Sequence, residues 1–204
     1  MGAVVENMDS TLSAETCIAR RTGFRSGQEL GGLVRLEQRV QRYPWADVYT
    51  GSFLASGAPC WVYVCAETEL PGAERTELAR AFALRASMVH KNLTPCLGTG
   101  EDEKHLFLAE ADEQGRRLTE HLERRRSVGR RYTPAEVYTV ISHACNGLQF
   151  AGDSGRHGLF SPDCVQVLKS GRVQISGWGF SQRRSLLTGT ALEWDDWNRG
   201  HLTS

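Results

Sequence analysis

Residues 33 to 109 read, in order, as three strands, one helix and two more strands, and that order bounds the folds open to the chain. Leu33 to Val40 alternates apolar and polar positions imperfectly, through Leu33, Leu36 and Val40. Val48 to Leu54 is rich in β-branched and aromatic residues, which fit a pleated, half-buried surface. Trp61-Val62-Tyr63-Val64-Cys65 is the strongest strand of the set, and Ser56-Gly57-Ala58-Pro59 supplies the turn before it. Glu74 to Val89 then reads as a helix: Leu78, Phe82, Ala86 and Val89 recur at helical spacing, with no Gly or Pro. Leu97 and His105 to Ala109 form the last two strands, joined through Gly98 to Lys104.

The second half changes character. Leu118 to Arg126 is a short helix. Thr133-Pro134-Ala135-Glu136 opens a longer one, because Thr caps, Pro suits the first turn, and Glu three residues on completes a capping box. Val137, Val140, Ile141, Ala144 and Leu148 are expected to line its apolar face, and Gly152 ends it. Val165 to Leu168 and Val173 to Ile175 read as a hairpin through Ser170-Gly171. Residues 1–32 are polar and aperiodic and read as a flexible extension; residues 181–204 read as loop or tail.

Composition narrows function by exclusion. Of 204 residues 40% are hydrophobic, enough for a buried core. Lys+Arg and Asp+Glu both number 24, which argues against nucleic acid or a charged membrane as a general partner. Arg124-Arg125-Arg126 and Arg130-Arg131 cluster locally and read as a solvated helix end and loop. The six cysteines (Cys17, Cys60, Cys65, Cys96, Cys145, Cys164) lack any C-x-x-C pair, so no zinc site is expected. The first 17 residues lack the apolar core of a signal peptide, no run is long enough to span a membrane, and Glu6 spoils a myristoylation start. A reducing, cytoplasmic setting follows.

Four further segments carry a family likeness. Val62-Tyr63-Val64-Cys65 stands where V-A-I-K is expected, and Val89-His90-Lys91-Asn92-Leu93 is similar to R-H-P-N-I. His157-Gly158-Leu159, followed by Pro162 and Cys164, stands for H-R-D and its metal-binding Asn. Gly177-Trp178-Gly179 stands for D-F-G. With the element order, these make residues 33–180 resemble the protein kinase family. The resemblance implies an α+β fold in two lobes: a five-stranded antiparallel N-lobe sheet with one helix at 33–111, and a partial helical C-lobe at 112–182. Residues 1–32 would precede them as an extension and 183–204 would follow as a tail.

The same resemblance implies what is missing. Gln41, Tyr43 and Ala46 replace the phosphate-loop glycines, and Pro44 and Trp45 crowd that turn. Cys65 replaces the phosphate-anchoring Lys, and Ala81 replaces its helical Glu partner. Losing both members together avoids a stranded buried charge, which would cost ~3–5 kcal/mol. Leu159 replaces the catalytic Asp, with Ser161 at the loop Lys position; Cys164 and Gly177 replace the two Mg²⁺ ligands. Glu110-Ala111-Asp112 matches the hinge that bonds adenine, with Ala109 as a small gatekeeper. The expectation is a catalytically inactive chain, not an enzyme, with no catalytic residue and no metal or cofactor, metal-free ATP at the hinge being left open. It would act as a scaffold or allosteric module for a protein partner, an active kinase or its substrate, and not for nucleic acid or membrane. The alternative is a kinase-fold enzyme with atypical phosphotransfer, for which Glu67, Glu110 and Asp163 are the nearby carboxylates. A third reading is a truncated product with no independent role, helix 134–150 lacking part of its apolar cover; a C-lobe completed by a partner chain is the variant of that reading.

Overall fold

Strand pairing organises the first half of the chain. The computed structural model describes residues 24–43, 46–66, 72–102, 105–152 and 160–178. Glu67, His157, Gly158, Leu159, Gly179, the Pro44-Trp45 pair and the expected tail at 183–204 lie outside them. The elements are β1 (Glu29–Leu30), β2 (Val34–Arg42), β3 (Asp47–Phe53), β4 (Ala58–Ala66), α1 (Gly72–Ser87), β5 (Cys96–Asp102) and β6 (His105–Ala111). They form one antiparallel sheet in the order β1-β2-β3-β4-β6-β5.

Both faces of that sheet are covered, which explains the unbroken apolar run of β4. Tyr63 and Cys65 turn to one face, where they pack with Val48, Leu106, Leu108 and the α1 residues Leu78 and Phe82. Val62 and Val64 turn to the other, with Leu36, Tyr49, Phe107 and Ala109 beneath Leu30. Each fully buried Val, Leu or Phe contributes about 1.5–3 kcal/mol of transfer free energy.

The sheet has six strands, not the expected five. The sixth, β1, comes from the segment read as an extension. Leu30 is wholly buried, and Gly27 N–H donates to Leu36 O at 2.7 Å. Gly31 and Gly32 turn the chain with φ of 56° and 63°, and a Cβ on Gly31 would sit 2.9 Å from the Phe107 ring. β5 also runs further than expected, through Gly98 and Gly100. The Phe107 ring lies over Gly100, where a Cβ would approach to 2.6 Å, so the glycine belongs to the strand rather than to a loop.

The second half builds β7 (Arg116–Arg117), α2 (Leu118–Ser127), α3 (Pro134–Ala151), a one-turn 3-10 helix at Pro162–Cys164, β8 (Val165–Val167) and β9 (Val173–Ile175). Strands β7-β8-β9 make a small second sheet. The capping box of α3 is formed: Glu136 N–H donates to Thr133 Oγ1 at 3.3 Å, and Thr133 N–H to Glu136 Oε2 at 2.8 Å. The buried face of α3 differs from the expected one. Ala144, Gly147 and Ala151 are buried, whereas Val137 and Ile141 are exposed. Gly147 decides this: a Cβ there would meet Asn92 O at 2.8 Å, so the helix docks on its small residues. Among the described residues no helix is long and apolar enough to cross a membrane.

The two halves join through the link that follows α1. Ile175 N–H donates to Asn92 O at 2.9 Å, Thr94 N–H to Ile175 O at 3.0 Å, and Asn92 Nδ2 to Val173 O at 2.7 Å. Met88 and Leu93 then pack with Ala144, Ala151, Ile175 and Trp178.

Candidate functional site: the cleft between the sheets

Cross-strand register sets which side chains reach the cleft. Trp61 faces Glu110, Tyr63 faces Leu108 and Cys65 faces Leu106, and directly opposed residues share a face. Glu110 therefore points inward with Tyr63 and Cys65. Ala109, expected at the gatekeeper position, lies in the cluster on the opposite face. The small residue does not line the cleft; a carboxylate does.

That carboxylate is paired. Arg85 and Glu110 are both 0% exposed, and Arg85 Nη2 lies 3.0 Å from Glu110 Oε1, with Nε at 3.1 Å. Arg85 also donates to Met88 O at 3.3 Å and to Thr94 O. Gly177 N–H donates to the second oxygen, Oε2, at 2.9 Å. Burial pushes the Glu110 carboxyl above its ordinary range, while Arg85 and the Gly177 N–H pull against that shift. One ion pair thus ties α1, the 88–94 link, β6 and the Gly177 segment together.

Sequence reasoning missed this pair, although the signal was there. Arg85 continues the Leu78-Phe82 face at a spacing of three, and it is buried where Ala86 and Val89 were expected. Ala86 is exposed, and Val89 is 86% exposed beyond the end of the helix. Cys65 is buried against Leu78 and Phe82; Ala79, rather than the half-buried Ala81, packs on that cluster.

Tyr63 of β4 lies between the first sheet and the Gly177 segment. It is buried, and its hydroxyl bonds the Ser176 side chain. A Cβ on Gly177 would lie 3.7 Å from the Tyr63 ring and 3.9 Å from Cys164 Sγ, so these three positions meet. Burial, followed by the Glu110 charge, raises the Tyr63 hydroxyl above its usual range. Arg117 of β7 lies 5.1 Å above the Trp61 ring, adding a cation–π contact across the same cleft.

The donor set does not fit the divalent ion that a kinase-like fold implies. Burial pushes the Cys164 thiol up to about 11 against the opposing Ser161 contacts, so it stays protonated at neutral pH. Gly177 offers no side chain, and its N–H is engaged by Glu110. Asp163 accepts a hydrogen bond from Thr119 Oγ1 at 2.6 Å and belongs to the α2 contact. A hard ion requires carboxylate or carbonyl oxygens, which these residues do not converge. No group of three or more His, Cys, Asp or Glu that could hold a metal occurs among the described residues. At the expected hinge, Ala111 N–H donates to Pro95 O at 2.8 Å and Asp112 N–H to Pro59 O at 2.9 Å. Both amides are already used.

No protein-family model and no curated protein sequence matches this chain. Solved structures do. The PknI kinase domain of Mycobacterium tuberculosis is 18% identical with a TM-score of 0.66, over 77% of this chain and 62% of that one. A double-substitution variant of the same kinase domain gives 17% identity and a TM-score of 0.67, again over 77% of this chain and 62% of that one. This chain therefore spans less than two thirds of the length of the kinase domains it is similar to. The expectation of a non-enzyme is corrected on this finding: the structures that share the fold are kinase domains, which lends inactivity no support. Six strands rather than five, one helix on the first sheet and the likeness to these domains together give the chain a protein kinase-like α+β fold.

Proposed function

We propose that this kinase-like chain works as a cytoplasmic binding and regulatory module whose partner is a protein, an active kinase or its substrate. One observation carries the reading: the cleft is held by contacts of its own. Arg85 and Glu110 use their charges on each other, on backbone carbonyls and on Gly177 N–H, and Tyr63 lies between the first sheet and the Gly177 segment. Such a cleft couples the position of α1 to that of the Gly177 segment, which suits a part that responds to a docked protein.

The second reading is atypical nucleotide-dependent phosphotransfer, and the likeness to kinase domains favours it. A thermal-shift panel with ATP, ADP and non-hydrolysable analogues, each with and without Mg²⁺ or Mn²⁺, separates the two. A ligand that binds the native state raises its melting temperature by mass action. The binding-module reading predicts no metal-dependent shift above about 1 °C at millimolar nucleotide. A shift of several degrees that needs divalent metal contradicts it and turns attention to transfer assays on generic protein substrates.

A further inference from the structure

The last turn of α2 carries Arg124, Arg125 and Arg126, where cations complement the helix dipole. That accounts for their place in the sequence but not for what the fold brings to them. Arg116 of β7 and Lys169 of the β8–β9 turn join Arg124 and Arg125 around a hollow of about 590 Å³ between α2, α3 and the hairpin. Cations from three separate elements converge on one concavity.

The charge there is not balanced. Glu136 is the carboxylate that lines the hollow, and it is consumed by both Nη atoms of Arg125 and by Thr133 N–H. Arg125 is held further by Arg131 O at 3.1 Å and by the Tyr132 ring at 4.2 Å. This neutral, fixed pair forms one wall. Arg116 and Arg124 have no acidic partner among the described residues, and Lys169 donates to the neutral Gln114 at 3.1 Å. Three uncompensated cations remain, over an apolar floor that includes Val167 and Leu168.

We propose that this hollow is a binding site for a phosphoserine or phosphothreonine side chain presented on a peptide. A phosphate monoester supplies close to two negative charges and three acceptor oxygens, which match guanidinium forks. The apolar floor suits the carbon body of a peptide, and the concave shape suits a side chain rather than a flat bilayer. The site stands apart from the cleft and does not depend on the role proposed for it.

His121 reports on the site from within. It contacts the Tyr132 hydroxyl, and burial lowers its proton affinity, as do Arg125, Arg116 and Arg124 against the opposing Glu136. Lys169 adds positive charge from the facing hairpin. A bound dianion offsets these cations, so His121 takes up a proton more readily in the complex than in the empty protein.

Fluorescence anisotropy on the full 204-residue chain, at physiological salt, tests this with a mixed-sequence phosphoserine peptide library and its unphosphorylated counterpart. The phosphorylated library is expected to bind about tenfold or more tighter, and R116E/R124E to lose about tenfold or more of that affinity. The control R80E/K91E, with the same change in net charge, stays within about twofold. R116Q and R124Q repeat the test should the double reversal disturb folding. By NMR, the His121 titration midpoint rises on adding phosphopeptide. Equal affinity for the two libraries, equal weakening by the control pair, binding of inorganic phosphate alone, or an unmoved His121 midpoint each overturns the proposal.

Discussion

The cleft and the α2–α3 hollow treat charge in opposite ways. In the cleft, Arg85 and Glu110 are sealed from water and spend every close contact on each other or on backbone. Around the hollow, Arg116, Arg124 and Lys169 face solvent with no carboxylate paired to them among the described residues. Inward charge of the first kind fixes geometry and makes a state costly to leave. Outward charge of the second kind adds little to stability and is available to a ligand. The contrast gives each region its own signature in mutational data.

The largest effect belongs inside. Glu110→Ala strands the Arg85 guanidinium and leaves Gly177 N–H without its acceptor, so denaturant unfolding should show a loss of about 3–5 kcal/mol. At the start of α3, Thr133→Ala removes the side-chain half of the cap and is expected to cost about 1 kcal/mol in the same measurement. Smaller again is the pH effect of Glu136. The Arg125 contact and the Thr133 N–H hold its carboxyl down at about 2. A folded-state value below the unfolded one stabilises at higher pH, and that stabilisation is lost as pH falls from the ordinary 4.5 toward 2. The side chain is 39% exposed, so solvent screening keeps the effect modest. Melting curves across that window should slope for the wild type and flatten for Glu136→Gln. Smallest of all, Arg124→Gln should change stability by less than about 0.5 kcal/mol, since nothing buried depends on it.

Much of the scaffold was legible because its signals are local. The Thr133–Glu136 box, the β4 run and the 165–175 hairpin depend on neighbours in sequence. What escaped depends on distant partners. Gly100 reads as a loop residue until the Phe107 ring lies over it, and the expected apolar face of α3 gives way where Gly147 meets Asn92. The cleft was harder still. Leu106 to Ala109 is apolar throughout because both sheet faces are buried, so its parity is hidden and Ala109 was placed inward in place of Glu110. Counting by twos from Leu106 and Leu108 would have found the carboxylate. Arg85 was passed over because a charged residue on a helix is usually solvated, and only the 25-residue reach to Glu110 makes its burial tolerable. Of the expected replacements, Cys65 is buried against Leu78 and Phe82, Cys164 and Gly177 meet beside Tyr63, and Leu159 lies outside the described residues.

A double-mutant cycle on Arg85 and Glu110 tests most directly whether the cleft is held by its own ion pair. The single variants Arg85→Met and Glu110→Leu should each lose several kcal/mol, about 3–5, and the double variant should recover most of it, because two apolar groups leave no stranded charge. Additive losses, with the double variant far less stable than either single one, would contradict the account.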